Sequence, residues 1–222
     1  MMRKLLLFFI SIAFFCSCGE SGDGIAEKTF ESYNGNYLII ISKKKFSLSV
    51  HKKGEGLVAT YRVGIGRNSD LGPKLFEGDN RTPEGYYKVN EILSMDSDRS
   101  SGSYRKLKWM NEYYFKKSSG YTRYGDPDLD LGDNVYGPRF YGINYPNEND
   151  KKRYQDGIFK GVIPVKNGKP ADIGYGIAIH GNNDEKSIGH PCSSGCIRMY
   201  NRDVVEIEKY IALDTPVIIL NE

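Results

Sequence analysis

Short β-prone runs separated by turn residues set the first bound on this chain. In residues 45–51, Phe46, Leu48 and Val50 alternate with polar neighbours, the period-2 pattern of a strand with one buried face. Residues 37–42 form a second such run, joined to the first by a short basic turn, and the pair predicts a hairpin. A third strand is predicted over 57–65, stopped by Gly64, Gly66 and Asn68. A fourth is predicted over 84–93, introduced by the turn Arg81-Thr82-Pro83-Glu84-Gly85. Several short strands in series describe a sheet-rich domain.

Residues 95–154 break this pattern: Tyr, Gly, Asn, Asp and Ser dominate and no period survives. So long an irregular insertion is usually functional. Its aromatic run over 136–147 either lines a groove or packs as a surface meander. Order returns over 161–165 and 175–180. One helix follows, capped by Asn201 or Asp203, with Val204, Ile207 and Ile211 on one face and Glu206, Glu208 and Lys209 outward. Residues 215–220 close the chain as a buried strand. The expected architecture is a β-rich α+β fold, mainly β: two sheets, one main C-terminal helix and the long insertion. His51 is expected at the surface.

The N-terminus indicates a destination. Arg3 and Lys4 precede an apolar run over 5–15, followed by Cys16-Ser17-Cys18-Gly19, which reads as an export signal over 1–17. A run of about a dozen residues is too short to span a ~30 Å hydrocarbon core. The segment resembles a bacterial lipoprotein signal, which implies a lipid anchor on Cys18, a small and polar tether over 18–35, and a membrane-anchored envelope or periplasmic protein; an ordinary cleaved signal is the alternative. The folded domain is then 36–222. Formal net charge is +3, and removal of Arg3 and Lys4 leaves +1. No basic stripe exists, so nucleic acid is not an expected partner. With four cysteines in the chain, two of them at the N-terminus, a disulfide-built scaffold is excluded.

The chemistry concentrates in two segments, Tyr175-Gly176-Ile177-Ala178-Ile179-His180-Gly181 and Ser193-Ser194-Gly195-Cys196-Ile197-Arg198-Met199. A thiol and an imidazole on separate, well-structured segments are the minimum equipment for nucleophilic acyl transfer. Gly195 permits close approach, and free N–H groups around it suit a developing oxyanion.

The ordered set Ile179-His180-Gly181, Ser187-Ile188-Gly189, the Cys196 segment, Asn201, Asp203-Val204 and Thr215-Pro216-Val217 resembles the catalytic half of the L,D-transpeptidase (YkuD-domain) family. The turn at Thr82-Pro83-Glu84-Gly85 is similar to that family's Thr-Pro-x-Gly turn. The resemblance implies a sandwich of two mixed β-sheets and a cofactor-free cysteine enzyme acting on peptidoglycan stem peptides. Cys196 would be the nucleophile and His180 the base, with the Gly181 carbonyl orienting its ring. Gly195 and Cys196 would offer oxyanion N–H groups, supported by Ser193, Ser194 and Arg198. Arg198 either pairs with a substrate carboxylate or braces the loop. Asn182, Arg139 and Tyr141 are the further candidate substrate contacts.

Alternatives stay open at this point. Water in place of an amine acceptor would make a carboxypeptidase or amidase, and an unreactive cysteine would leave a lipid-anchored wall-binding protein. His180, His190, Cys192 and Cys196 could form a zinc set, although their spacing fits no common structural site, and no metal is expected. Cys192 is either a small loop residue or the partner of Cys196 in a redox lock.

Overall fold

The computed structural model describes residues 22–120, 122 and 126–222. Helix α1 (Gly22–Ser32) precedes a hairpin of β1 (Tyr37–Ser42) and β2 (Ser47–Lys52), followed by β3 (Gly56–Gly66) and β4 (Gly85–Ser94). The insertion carries α2 (Gly102–Trp109), β5 (Arg139–Ile143) and α3 (Glu148–Phe159). Next come the short strands β6 (Val165–Lys166), β7 (Lys169–Pro170), β8 (Ala178–His180), β9 (Pro191–Ser193) and β10 (Ile197–Met199), then α4 (Asn201–Glu206) and β11 (Pro216–Leu220).

Nine strands form one mixed sheet in the order β10-β8-β5-β4-β11-β1-β2-β3-β9, and a β10–β3 pairing closes it on itself. The two layers of the expected sandwich are therefore continuous, a barrel-like arrangement. Its interior holds Ile39, Ile41, Leu48, Val50, Val217 and Ile219. Alternation in β1 sends Leu38 and Ile40 to the opposite face, where Ile25, Ala26 and Phe30 of α1 cover them. A strand buried on both faces reads as a continuous apolar run, which explains Tyr37-Leu38-Ile39-Ile40-Ile41.

Several expectations change. Part of the predicted tether is the folded helix α1. His51 is buried, with Asp23 Oδ1 of α1 3.2 Å from Nδ1 and Ser49 Oγ 3.1 Å from Nε2. The C-terminal helix is short and passes into a 3-10 turn, Ile207–Tyr210, while the longer α3 lies in the segment without periodicity. Asn147 starts α3 with a reciprocal cap to Asp150, and that signal outweighs its weak amphipathicity. Neither Asn201 nor Asp203 caps α4: Tyr200 holds the cap position without a side-chain bond. The signal and the Cys18 anchor site lie outside the described residues.

The described residues of the insertion include a second apolar cluster in which Leu107, Met110, Phe115 and Tyr136 pack on Leu93, Phe140 and Ala178. Asn111 fastens it: its Nδ2 donates to the Gly137 carbonyl at 2.9 Å and its Oδ1 accepts the Tyr136 N–H at 2.9 Å. Aromatic bulk with one buried amide replaces periodicity as the ordering principle; of the run 136–147, Tyr136 and Phe140 join this cluster, while Tyr141, Ile143 and Tyr145 pack into the main core.

Candidate active site

His180 closes β8 and Cys196 immediately precedes β10. These strands run parallel, with Ile197 opposite Ile179 and Arg198 opposite His180. Continuing the register sets Cys196 level with Ala178, whose N–H faces the sulfur. The thiol also lies 3.5 Å from the Gly176 carbonyl. Both side chains line one cavity of ≈ 270 Å³, and Cys196 also borders a smaller, more polar one of ≈ 80 Å³ edged by Lys74 and Glu77.

The imidazole is held by its environment in a defined tautomer. His180 Nδ1 meets the Gly181 carbonyl oxygen, and because a carbonyl only accepts, Nδ1 carries the proton and Nε2 the lone pair. Tyr136 and Phe140 flank the ring, with centroids 5.0 and 6.1 Å away. Loss of solvation in this aromatic box, then the charge of Arg198, pulls the imidazole pKa down to about 3. Burial pushes the Cys196 thiol up, opposed by the Ala178 N–H and then by Arg198 and Lys74. Both displacements favour the uncharged forms, thiol and neutral imidazole, over a preformed thiolate–imidazolium pair.

The cysteine loop is stapled from within. Ser193 Oγ donates to the Cys196 carbonyl at 2.6 Å and accepts the Gly195 N–H at 3.1 Å. The Gly195 N–H, expected at an oxyanion site, is therefore committed to the loop. Ser194 lines the cavity and accepts from Arg67 Nη2 at 3.0 Å. Arg198 also lines it; its Nη1 reaches only the Cys192 carbonyl, at 3.5 Å, and its buried Nε has no hydrogen-bond partner among the described residues. Cys192 and Cys196 are both free thiols, so the redox lock is not formed. Among the described residues no group of three or more metal-ligating side chains occurs.

Gly181 is required by close approach: a Cβ there would fall 2.3 Å from Asn201 Oδ1. That Asn201 side chain accepts the Asn182 N–H and donates to the Asn182 carbonyl, both at 2.9 Å, clamping the chain behind His180.

The three further candidate contacts do not line the cavity. Asn182 is fully buried, and its Nδ2 donates to the Met199 carbonyl at 2.9 Å. Arg139 is buried between Asp96 at 2.6 Å and Glu208 at 2.9 Å. Tyr141 lies in the core, and its hydroxyl donates to the Val204 carbonyl at 3.0 Å. Both β5 residues flank Phe140, which does line the cavity, so alternation along β5 turns Arg139 and Tyr141 to the opposite face of the sheet. The cavity wall comes instead from Trp109, Tyr114, Phe115 and Tyr136 of the insertion, with Tyr175 before β8. The aromatic density of 95–154 was the sequence signal for this wall, without the individual positions.

The L,D-transpeptidase catalytic domain family, YkuD, matches residues 36–219. YqjB of Bacillus subtilis, provisionally named an L,D-transpeptidase, is 27% identical over 188 residues, covering 85% of this chain and 73% of that protein. YkuD of the same organism, also provisionally so named, is 49% identical over 45 residues, covering 20% of this chain and 26% of its own. Among solved structures, Bd1075 of Bdellovibrio bacteriovorus superposes with a TM-score of 0.50 at 23% identity, over 86% of this chain and 50% of that one. A mutant of Pgp2, a helical cell shape determining protein of Campylobacter jejuni, gives 0.50 at 20% identity, over 86% and 49%. This chain thus spans about half the length of those two solved chains, and at these identities the likeness is one of fold. The chain belongs to the YkuD family of L,D-transpeptidase catalytic domains.

Proposed function

We propose that the protein is a cysteine-dependent peptidoglycan L,D-transpeptidase working through an acyl-enzyme. The observation that carries this reading is the shared cavity: the Cys196 thiol and a His180 ring fixed by the Gly181 carbonyl line the same space. His180 Nε2 takes the thiol proton as sulfur attacks a stem-peptide carbonyl. The C–N bond then breaks, the leaving amine receives the proton from the imidazolium, and a thioester remains on Cys196. An acceptor amine attacks the thioester and gives its proton to His180; the C–S bond breaks, and the imidazolium returns that proton to the departing sulfur, restoring the thiol and the neutral base. Two cavities meeting at one sulfur suit a reaction with two substrates in turn. Arg198 lines the cavity and its Nη1 makes only a 3.5 Å contact with the Cys192 carbonyl, which leaves its outer nitrogens suited to a substrate carboxylate. Export and acylation of Cys18 belong to the same reading, supported by the N-terminal sequence, and place the domain in the cell envelope beside its substrate.

Purified domain incubated with stem tetrapeptides and an amine acceptor should yield crosslinked product by mass spectrometry, abolished by Cys196→Ala and His180→Ala. A carbapenem should add mass at Cys196. Trimmed stems alone would assign hydrolysis, and unchanged stems without an adduct would reject enzymatic activity.

A further inference from the structure

We infer that Thr82 is a positioning residue for the oxyanion site, aiming the backbone N–H of Cys196 through a hydrogen bond to the peptide group that precedes it. This inference rests on the acyl-transfer reading of Cys196. Thr82 has no solvent exposure. Its hydroxyl accepts the Gly66 N–H at 2.8 Å and donates to the Gly195 carbonyl at 2.9 Å. The first bond directs the second: with a donor already pointing at Oγ1, the hydroxyl proton is free to turn to Gly195.

The Gly195 carbonyl and the Cys196 N–H belong to one planar trans peptide and point in opposite directions. Thr82 lines neither cavity, whereas Cys196 lines both. Tying the carbonyl down on the closed side therefore turns the N–H away from it. Because the Gly195 N–H is bonded to Ser193, the Cys196 N–H is the donor left from this pair. Gly195 itself has φ +139, and a Cβ there would lie 2.8 Å from the Arg81 carbonyl oxygen, so the loop seats directly against the turn carrying Thr82.

That turn is rigid for reasons independent of the active site. The Thr82 N–H donates to Ser69 Oγ at 2.8 Å. Asp79, buried beside Lys74 at 2.9 Å, accepts the N–H groups of Leu75 at 2.6 Å, Phe76 at 3.2 Å and Arg81 at 3.0 Å. A carboxylate with four donors cannot readily reorganise, so the hydroxyl holds one position.

The test separates attack at a carbonyl, which builds an oxyanion, from alkylation by iodoacetamide at its CH₂ carbon, which does not. Thr82→Val keeps the shape and removes both bonds. Acylation of Cys196 by a stem peptide or carbapenem is expected to slow by about 10- to 100-fold, with iodoacetamide alkylation within twofold of wild type and KM little changed. Thr82→Ser should restore acylation. Should the valine variant not fold, Thr82→Ala, which removes the same two bonds, carries the same expectation. Acylation and alkylation falling together, or acylation unchanged, would overturn the inference. A wild-type protein that is never acylated would instead overturn the acyl-transfer reading.

Discussion

Arg139 Nε lies 2.9 Å from Glu208 Oε2, tying an internal strand of the sheet to the turn that follows α4. The guanidinium is almost fully buried while Glu208 and Asp96 keep solvent contact. Arg139→Ala removes a buried cation together with its packing, and should lower stability by about 1–3 kcal/mol, less than loss of a wholly buried pair. Urea unfolding measures this. KM for a stem peptide should stay within twofold, because the side chain does not reach the cavity.

Acid stability should depend on His180. The unfolded residue titrates near 6.5 and the folded one near 3, so the unfolded chain takes up the proton first. Stability is fully present above pH 6.5 and falls as pH drops toward 3, by at most about 1.4 kcal/mol per pH unit for this group. His51, also lowered by burial, contributes in the same direction. Denaturant unfolding at a series of pH values should show a shallower acid limb for His180→Gln than for wild type.

Thiol reactivity should show the opposite displacement. Burial raises the Cys196 pKa and Arg198 partly offsets it, so iodoacetamide alkylation should rise with pH through an inflection above the ordinary thiol value. Arg198→Gln should move that inflection higher still. A Cys192→Ser background isolates the signal.

Gly181→Ala forces a Cβ against Asn201 Oδ1 and the Pro138 ring. A cost of about 1–3 kcal/mol is expected from such overpacking. Because the displaced backbone carries the carbonyl that holds His180, kcat should fall while KM changes little, which steady-state kinetics would resolve.

Phe30→Ala should open the cover over Leu38, Ile40 and Ile218. A loss of about 2–4 kcal/mol is expected for a buried aromatic truncated to alanine, read as a shifted urea midpoint with the turnover of the remaining folded protein unchanged.

The strands that alternate and end at turn residues were legible in advance: Phe46, Leu48 and Val50 announced β2, and the glycines after 63 announced the end of β3. Cys196 and His180 could be singled out because thiol and imidazole are scarce and their surroundings distinctive. Closure of the sheet was hidden, since β8, β9 and β10 have three residues each and no strand that short carries a period. Helix α1 was masked by its small, polar composition, and only the apolar face of β1 beneath it explains its place. Thr82 and Asn201 stood in the motifs that carried the resemblance, but their bonding was not legible, because a hydroxyl or amide acquires a role only from the peptide groups that tertiary structure sets beside it. Arg139 and Tyr141 stood in an aromatic run whose strand turns only the intervening Phe140 toward the cavity.

Strand β10 is bonded on one side to β8 and on the other to β3. A strand held on both flanks cannot peel outward to admit a bulkier guest, so the reacting sulfur works from a fixed anvil. Adaptation to different peptides must then fall to the aromatic wall of Trp109, Tyr114, Phe115 and Tyr136, which makes those positions the place to graft or diversify when new acceptors are sought.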